Sequence, residues 1–147
     1  MMAFLERPLL HLILASLLLG GCGGEPPPNP AAADTTYGAA VAAADALPAP
    51  AVAAEAARYV GRRVTVDGRI VGVPTDGCGL RLDAGDGPLL HVDAPRPGGP
   101  CAWQVPTALD GIAAAAGTLR AAGDTLRLTA NGVRVTPLQQ SGANSSP

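Results

Sequence analysis

The chain has no lysine: its ten Lys-plus-Arg cations are all arginines, against twelve carboxylates, for a formal net charge of -2. No excess of positive charge exists to gather nucleic acid or anionic lipid through the overall field. Aromatics are nearly as scarce, with one Trp, two Tyr and one Phe in 147 residues. Stacking on rows of exposed rings, the usual means of holding single-stranded bases, is therefore excluded as a main mode. Neither a phosphate-binding loop nor a metal-hydrolase spacing occurs, and no Ser or Cys stands beside His91 and Asp93 to make a nucleophilic site. The sequence assigns no catalytic residue and no cofactor.

What is present begins at the N-terminus. Met1 to Pro8 is a short n-region whose single cation is Arg7, and Leu9 to Leu19 is an apolar core broken only by His11 and Ser16. That core is shorter than the roughly 20 residues a spanning helix needs. Leu19-Gly20-Gly21-Cys22 closes it. An apolar run, two small residues and Cys in this order resemble a bacterial lipobox, with cleavage before Cys22 and acylation on it. The expected organisation is a lipoprotein signal peptide over 1–21 and a lipidated Cys with a Pro/Ala-rich tether over 22–50. A folded domain over 51–138 and a disordered tail over 139–147 follow. Gly23 stands where Asp would be the usual inner-membrane retention signal, so the resemblance implies the outer membrane or its periplasmic face. The membrane, through Cys22, is the first expected partner, and an envelope protein or small ligand is the second. As a coil the tether reaches roughly 30 Å.

Periodicity sets the domain. Ala51 to Val60 reads as a short helix with Val52, Ala56 and Tyr59 on one face and Gly61 at its C′ position. From Arg62 the period changes to two. Val64, Val66 and Ile70 alternate with polar residues, and Gly68 marks a bulge or bend. Pro74 to Gly77 is a turn, Leu80 and Leu82 a second strand, Ala84 to Gly87 a hairpin connection, and Leu90 and Val92 a third strand. Pro106 to Gly111 allows one helical turn. Ile112 to Arg120 is a small-sided fourth strand. Leu126, Leu128, Val133 and Val135 are the inner face of a fifth, kinked at Asn131-Gly132. The class is all-β and small. Three strands, a helical turn and two strands is the order of a five-stranded OB-fold-like barrel with a short helix before strand one. Another small barrel or an open meander is the alternative.

The run Tyr59-Val60-Gly61-Arg62-Arg63-Val64-Thr65-Val66-Asp67-Gly68-Arg69-Ile70, with Gly77-Cys78, Leu80-Arg81-Leu82 and Val105-Pro106 after it, resembles a family of small bacterial OB-fold domains of unknown function. Those domains open Tyr-x-Gly-Lys-x-Val-x-Val-x-Gly and carry a Gly-Cys-Trp loop. The likeness spans about Tyr59 to Gly117. Val73 stands where the family often has a second Cys, and Gly79 where it has Trp.

Chain parity brings Cys78 and Cys101 to one end of the barrel, and export favours a disulfide between them. The alternative is a metal- or redox-handling site in which Cys78, Cys101 and His91 hold copper or zinc. The candidate ligand face is the outer side of strands one to three, with Arg69, Arg81, Asp83, His91, Asp93 and the loop residue Trp103. Alternating signs equally suit a merely solvated surface. Trp103 reads mainly as a cover for the barrel end and secondarily as a stacking platform. The function expected is a non-catalytic module for a ligand or protein partner. Metal or redox handling is the second reading and oligosaccharide or nucleic-acid binding the third.

Overall fold

A computed structural model describes residues 33–138. The expected signal peptide, Cys22 and the expected C-terminal tail lie outside the described residues. The elements are β1 (Thr35–Gly38), β2 (Leu47–Pro48), α1 (Ala49–Ala54), α2 (Ala56–Tyr59), β3 (Arg63–Gly72), β4 (Gly79–Leu82), β5 (Leu90–Asp93), β6 (Ile112–Ala122) and β7 (Thr125–Thr136). The domain is mainly β, as the alternation predicts. Among the described residues no helix is long and apolar enough to cross a membrane.

Five strands pair in a ring. β3 pairs β4, β4 pairs β5, and β6 pairs both β3 and β7, all antiparallel; β5 and β7 join in parallel. Inward residues alternate with outward ones along each strand, so Leu80, Leu82, Leu90, Val92, Leu119 and Leu128 are buried almost completely. The small Ala113, Ala115 and Ala130 let the long β6 and β7 approach the same core. Alternation in β7 slips a phase between Ala130 and Val133, and the β6–β7 register shifts between Ala115 and Gly117. This is the expected kink at Asn131-Gly132.

Several local expectations need correction. The bulge in β3 falls between Ile70 and Gly72 rather than at Gly68. Gly68 serves close approach instead: a Cβ there would stand 3.0 Å from the Ala49 methyl of α1. The helix before β3 begins at Ala49 and breaks at Glu55 into two pieces. Its expected face holds, with Val52 buried and Ala56 and Tyr59 packed against the core. The β4–β5 connection runs over 83–89, longer than the four-residue hairpin read from Ala84 to Gly87. Between β5 and β6 there is no helical element, only a turn in which the Leu109 N–H donates to the Pro106 carbonyl at 3.1 Å.

The largest difference is the segment read as tether up to Pro50. From Thr35 onward it belongs to the fold. β1 pairs antiparallel with the far half of β7, Thr35 opposite Val135 and Gly38 opposite Gly132. Asp34 ties its start, accepting from the Thr136 hydroxyl and forming an ion pair with Arg134. β2 then pairs in parallel with β3, Leu47 opposite Val66, and α1 inserts Ala49, Val52 and Ala53 into the core. The segment is a strap, and it needs glycine where it crosses β7. A Cβ on Gly132 would lie 2.0 Å from the Ala39 carbonyl oxygen, so no side chain is tolerated there while the strap is docked.

A cleft beside the disulfide

Cys78 ends the turn after β3, and Cys101 lies in the loop between β5 and β6. They are joined in a disulfide with their Cα atoms 5.8 Å apart. The turn that delivers Cys78 is built by Asp76, whose carboxylate accepts the Cys78 N–H at 3.0 Å. Arg96, from the loop after β5, donates to the other oxygen of the same carboxylate. The Cys78 N–H first, and the Arg96 guanidinium second, hold the Asp76 carboxyl below its ordinary range. The loop is also fastened by backbone bonds, Ala94 N–H to the Cys78 carbonyl and Val105 N–H to the Gly77 carbonyl, each 2.9 Å. With both sulfurs bonded to each other, the expected metal alternative of Cys78, Cys101 and His91 has no thiolate to offer.

Against this corner opens a cleft of about 470 Å³. Asp76 and Cys78 form one wall, and Asp93 and Arg96 another. His91, Arg127 and Thr129 form its floor on β5 and β7. The sheet register explains the convergence. His91 stands opposite Arg81 on one side and Arg127 on the other, while Asp93 stands opposite Gly79 and Thr129. Asp93 accepts a two-pronged bond from Arg127, Nε to Oδ2 at 2.8 Å and Nη2 to Oδ1 at 2.9 Å. This bond raises the Arg127 pKa from its usual value. Both side chains remain partly exposed, so the pair contributes at most about 1 kcal/mol to stability. Its consequence is positional: it fixes one guanidinium at the cleft floor.

The expected ligand face divides. Arg81, His91 and Asp93 are neighbours on the outer side of β4 and β5. Arg69 lies apart, opposite Ile112 of β6. Asp83 is spent at the following turn, where it accepts the Gly85 N–H at 2.9 Å. Trp103 does not belong to the face. It is 4 % exposed, packs in the core, and donates its indole N–H to the Ala130 carbonyl at 2.7 Å. It lies under the strap, since a Cβ on Gly38 would come within 2.8 Å of its ring. Both ideas attached to it in the sequence are thereby revised: it fills the interior beneath β1 and offers no stacking surface.

Sequence reasoning missed Arg127, Arg96, Asp76 and Thr129. Arg127 was within reach, because Leu126 and Leu128 face inward and the residue between them must face out. Its neighbour across the sheet could not be read, because that depends on β7 joining β5 in parallel. No family model, curated protein or solved structure matches this chain.

Proposed function

We propose that the chain is a lipid-anchored, extracytoplasmic binding module. Cys22 carries the acyl chains, and an OB-fold-like barrel presents the outer face of β4, β5 and β7 to a ligand or protein partner, without catalysis. The observation that carries this reading is the cleft at His91, Asp93, Arg127 and Thr129, walled by a disulfide-held loop. Its polar groups converge from two strands and two loops, as in a site that orients something. The OB-fold part is supported by the ring order β3-β4-β5-β7-β6, with a single parallel contact at β5–β7. It is also supported by the resemblance over Tyr59 to Gly117. Export is supported by the disulfide, since such bonds persist in oxidising compartments. The lipobox-like run supports placement at the outer membrane or on the periplasmic face.

The folded strap changes the geometry of presentation. With the domain beginning near Asp34, only the residues from Cys22 to there remain as tether. Cys22→Ser tests the anchor. The expected result is loss of acylation and release of the domain from the membrane fraction, or accumulation of unprocessed protein. Unchanged fractionation would refute it.

A further inference from the structure

Arg81 and Asp83, and His91 and Asp93, alternate in character along the chain, while β6 and β7 carry only arginines as charged residues, and strand pairing sorts them. Arg81 stands opposite His91, His91 opposite Arg127, and Arg127 opposite Arg120 of β6. The four basic side chains form one row across four adjacent strands, about 14 Å from end to end at the usual strand spacing. Arg127 and Arg120 put like charges directly opposite one another, which is unfavourable in a sheet. Nearby carboxylates relieve only one member. Asp93 is bonded to Arg127, Asp83 accepts from a turn N–H, and Asp76 holds Arg96. Among the described residues neither Arg81 nor Arg120 has an ion-pair partner.

Arg81 is also held in place. Its register partner on β3 is Gly72, and a Cβ there would lie 2.9 Å from one guanidinium nitrogen. The guanidinium thus rests along the glycine backbone, with its Nε shielded from solvent and without a hydrogen-bond partner. A guanidinium matches carboxylate or phosphate oxygens. Because its place is set beforehand, less side-chain freedom is lost when a ligand binds. No Phe, Tyr or Trp stands in the row, so recognition there is mainly by charge.

We propose that the row Arg81–His91–Arg127–Arg120 binds a ligand bearing at least two phosphate or carboxylate groups. The inference rests on the binding-module reading and names the chemistry of its ligand. The experiment titrates detergent-solubilised full-length protein with tripolyphosphate and with tricarballylate by calorimetry. Vesicles with and without cardiolipin, whose headgroup carries two phosphates, provide a separate arm. Saturable binding of either free anion is expected. Arg81→Ala and Arg120→Ala should each weaken it about 10-fold, and Arg58→Ala, on α2, should leave it unchanged. Arg120 is exposed, so its replacement tests the row even if Arg81→Ala impairs folding. Binding only to cardiolipin vesicles, abolished by Arg120→Ala, would identify a lipid headgroup as the source of the same chemistry. Absence of binding in both arms would overturn the proposal, as would equal weakening by Arg58→Ala. A partner captured at the cleft without any anion binding would overturn the ligand class alone and leave the module reading standing.

Discussion

Trp103→Ala is expected to cost about 3–5 kcal/mol, the range for removing a large buried aromatic. That is a large share of the stability of any small domain, and it should lower Tm by on the order of 20 °C. The reasons are local. The ring is 4 % exposed and its N–H carries a 2.7 Å bond to the Ala130 carbonyl, next to the irregular part of β7. Deletion leaves a cavity where β1 crosses and an unpaired carbonyl beneath it. Trp103→Phe separates the two effects. It keeps most of the apolar volume, and should cost about 1–3 kcal/mol for the unmade hydrogen bond. Thermal melts followed by circular dichroism check both. A loss under 1 kcal/mol for Trp103→Ala would mean that the side chain lies in a mobile loop and not in the core.

The second large effect is that of the bridge. Cys78 and Cys101 close a loop with a sequence separation of 23, and on the chain-entropy model this stabilises by about 3 kcal/mol. The double variant Cys78→Ser, Cys101→Ser should shift the urea midpoint accordingly, and reductant should have no effect on it. It should still fold, because Ala94 and Val105 keep their backbone bonds to Cys78 and Gly77. The cleft should suffer more than the core does. Its wall at Arg96 is carried by the loop the bridge restrains, whereas Leu80, Leu90 and Leu128 pack without it. Wild-type protein whose midpoint is insensitive to reductant would show that the bridge does not form or does not constrain the unfolded chain.

Much of the ring was legible in the sequence because its strands obey one rule. Leu80, Leu82, Leu90, Val92, Leu126 and Leu128 alternate with charged residues, and alternation is the direct imprint of one buried face. The Cys78–Cys101 pairing was legible because chain parity puts both at one end. The strap was not. Thr35 to Pro50 is Ala-rich and has no period of two, and its pairing with β7 depends on glycines at 38 and 132 that give no sequence signal of their own. Trp103 was misplaced for a related reason. It sits in the loop between exposed Ala102 and Gln104, and the strap above it makes that position interior. The binding face was half legible. Its residues could be assigned to the outer side, but the row that pairing assembles across four strands depends on a register the sequence does not print.

On the proposed reading, the outer face of β5 and β7 beside the bridge is where this protein meets its partner. The most direct measurement is photo-crosslinking in intact envelopes, with a photoreactive residue placed at Thr129 on the cleft floor or at Ala57 on α2, both exposed. A discrete adduct is predicted from position 129 and none from position 57. No adduct from position 129, or the same adduct from both, would contradict it.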